Sequence, residues 1–247
     1  MIKIEADLHT HTIHSGHAYS TVDELAKTAS QKGLKLIAVT DHGPNMPDGP
    51  YQYYFNNITI LPEVIYGVRI LKGVEANILD QGKLDLGAET LNKLDFVAAG
   101  IHYNTGHNLS NKKDCTSAII NAIKSSQVDM VTHPVNNYYQ IDLKKVVQAA
   151  ASYGVILEVN ASSYNPSKSS SRANRKMTLK LIQMAQEFNV YLSLNSDAHF
   201  HQEVGDISYL KSIINESNLK KNQVINTSYK QILKLLSIKP KKMEGIG

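Results

Sequence analysis

Apolar runs alternate with amphipathic stretches along almost the whole chain. Seven short runs rich in aliphatic and β-branched residues read as strands, at 3–8, 36–40, 69–75, 95–100, 129–132, 155–159 and 190–194. Helical periodicity marks 21–32, 57–65, 114–125, 143–153, 174–188, 206–215 and 227–237. Thr21 and Glu24 are spaced as a capping box at a helix start. Gly33 and Gly154 each follow a helical run and precede a strand, as C-terminal caps do. Repeated strand–helix units predict an α/β fold with a parallel sheet and helices outside it.

No Gly/Ser/Pro-rich linker divides the chain and no repeat of fixed period is visible, so residues 1–247 read as one domain. One α/β barrel takes about 250 residues. Two segments break the rhythm. Residues 43–56 carry three prolines and four aromatics, and 162–173 are rich in serine. Both follow strands, on the face where α/β barrels keep their active sites. The basic stretch 239–242 reads as a solvated tail.

Composition narrows the class. With 19% charged and 42% apolar residues the chain is globular in character. The balance of 26 basic and 22 acidic side chains gives +4, too mild to imply nucleic-acid binding. Cys115 is the only cysteine, which excludes an internal disulfide and any cysteine-based zinc finger. No run approaches about 18 apolar residues, so no membrane span is expected. The start, MIKIEADLHTHT, lacks the apolar core of a signal peptide, and the protein reads as cytoplasmic.

Ten histidines stand out. Imidazole is the commonest metal-ligating side chain. His9 and His11 follow the first predicted strand, His42 the second, His102 the fourth and His133 the fifth; Glu75 ends the third, and Asp197 and His199 follow the seventh. In a closed barrel those strand ends converge on one rim, which makes distant residues neighbours. Incidental histidines have no reason to prefer strand ends.

The i, i+2 spacing of Asp7, His9 and His11 places them on one strand face, with Ala6 and Leu8 on the other. Asp197 and His199 repeat that spacing. Glu75 closes the apolar stretch 70–74, where an unpaired carboxylate is costly; bridging two metals would relieve the cost. Asp41 either holds a neighbouring imidazole or caps a turn near Pro44. His17 has no strand argument of its own. His14, His107 and His201 read as loop or outer groups. Cys115 sits beside Asp114, which disfavours a thiolate and a nucleophilic role. Walker A, GxGxxG and GxSxG signatures are absent.

Four motifs, Asp7-Leu8-His9-Thr10-His11, Thr40-Asp41-His42, Thr132-His133-Pro134 and Asp197-Ala198-His199, resemble those of the PHP (polymerase and histidinol phosphatase) family over residues 1–236. His17-Ala18-Tyr19-Ser20-Thr21, Thr40-Asp41-His42-Gly43-Pro44 and Gly73-Val74-Glu75-Ala76-Asn77 resemble its YcdX-like phosphatase branch. The resemblance implies a distorted, TIM-like (β/α)7 barrel with a trinuclear metal site at the C-terminal rim of the strands, usually zinc. Carried over by motif, it implies nine ligands. His9, His11, Glu75 and Asp197 would hold one ion. Glu75 would bridge to a second, held by His102 and His133, and His17, His42 and His199 would hold the third. His14 is a departure, and the match is loose at 172–176.

The expected activity is therefore metal-dependent hydrolysis of small phosphomonoesters. Clustered dications lower the pKa of a bound water to about 7 and supply hydroxide, with Glu75 and Asp197 orienting the nucleophile. Ser162, Ser163, Arg172 and Asn174 follow the sixth predicted strand within reach of a phosphate. No general acid is assigned, and Mn or Fe suits these ligands as well as Zn. Three other readings compete. A 3′–5′ exonuclease or other phosphodiesterase needs stacking and basic groups; the 51–55 aromatic run supplies only the first. An amidohydrolase-like C–N hydrolase wants an eighth strand and a bridging lysine. A non-catalytic metal-binding protein needs no open coordination position.

Overall fold

The elements run β1 (Ala6–Thr10), α1 (Val22–Gln31), β2 (Leu36–Val39), α2 (Gln52–Asn57), β3 (Val64–Ile65), β4 (Val68–Asn77), α3 (Ala88–Leu91), β5 (Phe96–Gly100), α4 (Lys112–Lys124), β6 (Met130–Val131), α5 (Leu143–Tyr153), β7 (Ile156–Asn160), α6 (Arg175–Glu187), β8 (Leu192–Asn195), α7 (Lys211–Ser217) and α8 (Tyr229–Ile238). These come from a computed structural model that describes residues 2–167 and 174–238. Arg172 and the 239–242 tail lie outside the described residues. Seven strands pair in parallel in the order β1-β2-β4-β5-β6-β7-β8, the arrangement expected of a TIM-like barrel.

One predicted helix is corrected. Residues 57–65 hold the end of α2, a short 3-10 turn (Ile58–Ile60) and then β3, paired antiparallel with β4. Pro62 removes a helical donor and stops the helix. Tyr66 and Gly67 have φ of 50° and 76°, and two positive-φ residues make the tight turn that joins β3 to β4. Elsewhere the capping chemistry is as read: Thr21 and Glu24 form the capping box of α1, and Gly154 adopts the left-handed conformation after α5.

The barrel nearly closes. Between β1 and β8 there is one bridge, Thr10 to Ala198, with His11 N–H donating to Ala198 O at 2.8 Å. Lower in the seam, Asn226 takes the place of a missing strand. Its amide nitrogen donates to Ala6 O at 3.0 Å and Leu194 O at 2.6 Å, and its side-chain oxygen accepts from Leu194 N–H at 3.1 Å.

Alternation divides each strand between two cores. Ile37, Val39, Ile70, Val74, Val97, Leu157 and Leu194 pack outward beneath the helices. Ala6, Leu8, Leu36, Ala38, Phe96, Ala98, Met130 and Ile156 fill the lower barrel with Ile225 and Ile232.

β1 breaks the alternation. Its register against β2 shifts between Asp7 and Thr10, where an extra residue is accommodated. This corrects the expectation that His9 faces away from Leu8 and shares a face with Asp7. Leu8 belongs to the inner core, and His9 also points inward, to Glu158 on β7. Asp7 instead binds the β8 end, accepting from Ser196 Oγ at 2.5 Å and Gly205 N–H at 2.7 Å. Burial raises its carboxyl pKa.

Candidate metal centre

The inward positions of the strands change character toward their C-terminal ends. Glu75, fully buried on β4, receives imidazoles on both oxygens. Its Oε1 lies 3.1 Å from His102 Nε2 and 2.9 Å from His133 Nε2. Its Oε2 lies 2.9 Å from His42 Nδ1, 3.2 Å from His9 Nε2 and 3.6 Å from His11 Nε2. Asp197 Oδ1 stands 3.3 Å from His11 Nε2 and 3.6 Å from His9 Nε2. His199 joins through its ring, 4.4 Å from that of His11. His17 is the outermost, stacked 4.7 Å from His199 and 5.1 Å from His42, with its Nδ1 2.6 Å from Asp48. The nine residues expected to act as ligands thus form one contiguous cluster.

Gly100 makes room for it. A Cβ there would collide with Thr132 Oγ1 and stand 2.8 Å from His133 Cε1 and 3.1 Å from His102 Cε1, so a side chain would force the threonine and the His133 ring to shift. His133 and Asp197 also have positive φ, 28° and 54°. Such non-glycine backbone costs of order 1–3 kcal/mol each and persists where the surroundings impose it.

Three buried nitrogens, His9 Nε2, His11 Nε2 and His42 Nδ1, face carboxylate oxygens at 3.2, 3.3 and 2.9 Å but at angles that make no proper hydrogen bond. Buried polar atoms left without a well-formed bond are expensive. Ligand atoms of His11, His42 and His199, of His9, His11 and Glu75, and of His42, Glu75 and His102 each lie within 4.8 Å of one another. Imidazole and carboxylate donors so spaced suit a borderline divalent ion such as zinc, which would satisfy those nitrogens.

The electrostatics follow from crowding. Burial alone would raise Glu75, but His9, His102 and His42 hold it well below the usual carboxylate range. Asp197 is depressed in the same way by His9, His11 and His199. Burial drives His11 well below its ordinary value, with His42 and His199 adding repulsion. Burial also pushes His102 down to about 4. Burial opposes a charge on His9, yet Glu75, Glu158 and Asp197 raise it well above the ordinary value. Ionised carboxylates and neutral imidazoles are the forms that ligate metals, so His9 alone of these groups would have to release a proton to bind one.

The surrounding groups orient these rings. Asn77 Oδ1 meets His102 Nδ1 at 2.8 Å. Asp41 holds an imidazole indirectly: Ser15 Oγ donates to it at 2.6 Å and sits 3.1 Å from His11 Nδ1. Tyr54 OH also donates to Asp41, at 2.6 Å. Burial and that carboxylate raise the phenol's pKa.

Other sequence candidates fall outside the cluster. His14 stacks on Tyr54, with ring centroids 4.4 Å apart. His107 Nε2 bonds the His102 carbonyl at 2.8 Å, and His201 Nδ1 lies 3.2 Å from Ser20 Oγ. Ser163 binds Asn160 Oδ1 through its N–H, and Ser162 begins the same turn. Asn174 caps α6 by accepting from Met177 N–H. Cys115 is buried, and burial and Asp114 raise its thiol pKa.

Sequence reasoning missed Glu158. It lies on β7 between Leu157 and Val159, bonding His9 Nδ1 at 2.8 Å and His133 N–H at 2.7 Å. The signal that marked Glu75, an acid inside an apolar strand, was present at Glu158 too.

The chain is similar to known proteins in sequence and in fold. The PHP domain family model matches residues 7–197. A probable phosphatase of Caldanaerobacter subterraneus is 42% identical over 245 residues, spanning 99% of this chain and 95% of that one. A probable phosphatase of Acetivibrio thermocellus is 42% identical over 92% of each chain. Among solved structures, histidinol phosphate phosphatase of Lactococcus lactis, complexed with zinc, L-histidinol and phosphate, superposes with a TM-score of 0.55 at 17% identity. It covers 87% of this chain and 94% of its own. A chain of archaeal ribonuclease P superposes at 0.60 with 12% identity, over 97% and 94%. At those identities the two structures speak for the fold alone. The buried histidine–carboxylate rim, the seven-stranded barrel and the family match together make this chain a member of the PHP domain family.

Proposed function

We propose that the chain is a metal-dependent phosphomonoesterase acting on small substrates, with a trinuclear centre. The observation that carries this reading is Glu75, whose two carboxylate oxygens both face clustered imidazoles. The phosphatase names of its relatives support the reaction class.

His9, His11, Glu75 and Asp197 would hold one ion, Glu75, His102 and His133 a second, and His17, His42 and His199 a third. Divalent ions bound there supply Lewis acidity, activating water and neutralising charge on the phosphate. Glu75 and Asp197 present their charge from fixed positions, so little reorganisation is needed as the transition state forms. Asp41, through Ser15, steadies the His11 ring. Ser162 and Ser163 sit in the turn after β7, from which they would contact the phosphate.

A small substrate is favoured over a nucleic-acid strand by the sparse cations of the loops after the strands. Residues 11–21, 40–51, 101–111, 132–142 and 196–209 contain no lysine or arginine, and only Lys83 in 78–87 and Lys168 and Arg172 in 161–174 interrupt that pattern. A strand-binding groove needs cations along the backbone path.

Release of inorganic phosphate from a panel of monoesters, in Zn²⁺, Mn²⁺ or Fe²⁺, tests the reaction. Turnover in at least one metal is expected, and none in any would overturn the reading. Shortening of end-labelled single-stranded DNA at comparable rates would favour the nuclease. Elemental analysis should approach three metals per chain; a stable value near one would refute the nine-ligand assignment.

A further inference from the structure

Glu158 is ringed by donors, and the surrounding network fixes their orientation. Asn195 Oδ1 accepts from Leu8 N–H at 3.1 Å and from Ser193 Oγ at 2.8 Å. Its amide nitrogen must therefore face Glu158 Oε1, 2.9 Å away. Asn160 Oδ1 accepts from Ser163 N–H at 2.8 Å, which turns its amide nitrogen to Glu158 Oε2 at 3.1 Å. The His133 backbone N–H donates to the same Oε2 at 2.7 Å. The fourth neighbour is His9 Nδ1, 2.8 Å from Oε1. Two lone pairs facing each other at that distance would repel, so the Nδ1 proton sits between them. That leaves Nε2, which faces Glu75 Oε2 at 3.2 Å and Asp197 Oδ1 at 3.6 Å, as the His9 atom that would bind a metal once its own proton is displaced.

We infer that Glu158 is a positioning residue that couples two metal positions from behind, as Glu75 does from the front. One oxygen sets the tautomer of His9, and the other pins the left-handed backbone of His133. The inference rests on the ligand assignment proposed above, which puts His9 and His133 on different ions. Only a carboxylate accepts from all four neighbours. A glutamine has one acceptor oxygen, and its amide nitrogen must face either the His133 N–H or His9 Nδ1. Facing His133 it collides with a donor. Facing His9 it moves the ring proton to Nε2, the atom needed for the metal.

The test compares metal-stripped wild type and Glu158→Gln, titrated with Zn²⁺ against a competing chelator. Losing such a partner lowers metal affinity by about 10–100-fold. That loss is expected at the His9 and His133 positions together, with metal-free melting little changed. Nitrogen-15 spectra of the zinc-loaded wild type should show His9 protonated at Nδ1 and ligated through Nε2. Unchanged zinc affinity in the variant, or a fall in melting temperature alone, would overturn the inference. Should the variant not fold, the wild-type spectrum decides: His9 ligated through Nδ1 is incompatible with the role. Wild type that takes up no zinc sinks the proposed function itself.

Discussion

The lower and upper halves of the barrel interior use the same inward strand positions for opposite purposes. Below, Leu8, Leu36, Phe96, Met130 and Ile156 form a dry layer sealed by Ile225 and Ile232. One to four residues further along, on the strands or just past their ends, stand His9, Thr40, Gly100, Thr132 and Glu158. The lower layer gains from removal of apolar surface from water. The upper layer buries charge and orphaned nitrogen, a cost the lower layer and the helix-covered outer core must offset. Folding and chemistry are therefore separated by one to four residues along the chain.

The largest effect expected from breaking this division lies below. Phe96→Ala removes a fully buried ring from the lower layer and should cost about 3–5 kcal/mol of stability. Denaturant unfolding would show it. Zinc affinity of the protein that remains folded should be close to wild type, because no ligand has changed.

Glu75→Gln is the mirror experiment above. It keeps size while removing the charge shared by five imidazoles. Phosphatase activity and metal content should fall by at least about 10–100-fold, the range for losing even an outlying partner of a ligand. The metal-free fold should survive with equal or greater stability, since an uncompensated buried charge is gone. Wild-type activity with full metal content would remove Glu75 from the site.

pH should act on the upper half, since the side chains that fill the lower layer are apolar. In the metal-free protein, His102 is depressed to about 4 and His11 is well below its ordinary value. Both stay neutral in the fold while the unfolded chain takes up protons below its ordinary value of 6.5. Their contribution is present above that value and is lost as pH falls toward about 4. His9, raised above 6.5, is protonated in both states at the low end, so its contribution there is constant. Glu75 and Asp197 weaken the fold only at lower pH still. Asp7 and Asp85, raised by burial, take up protons earlier in the fold and act in the opposite sense, so the histidine contribution is read by comparing chemical unfolding of the metal-free wild type and a variant between pH 6.5 and 4.5. His102→Gln should flatten the slope, and an equal slope in both proteins would contradict the assignment.

The smallest effect belongs to neither half. Lys93→Ala breaks the exposed i, i+4 pair with Glu89 on the outer surface. Solvent screens so exposed a pair, so denaturant unfolding should hardly distinguish the variant from wild type, and zinc binding should be untouched.

Much of this is legible in the sequence. Apolar runs bounded by turn and helix signals locate seven strands, and histidines at the C-terminal ends of those strands point to one shared rim. Those signals are local, because strand patterns and helix caps depend on neighbours in the chain. His17 is legible only by resemblance, since a loop residue has no periodicity to place it. Residues 57–65 mislead because their apolar spacing satisfies a helix, whereas Pro62 and the Tyr66–Gly67 turn make a hairpin.

What only the tertiary structure decided was which residues meet. The shifted register in β1 turned both Leu8 and His9 inward, which strict alternation forbids. Asn226 closed a seam between strands nearly the whole chain apart. Glu158 came to hold His9 and the His133 backbone because β7 lies beside β6 and is separated from β1 only by β8. The sequence determined the elements and the chemical inventory, since these follow from local pattern and residue type. The closure of the barrel decided the partners, since a hydrogen bond or ligand set depends on distances that no spacing along the chain encodes.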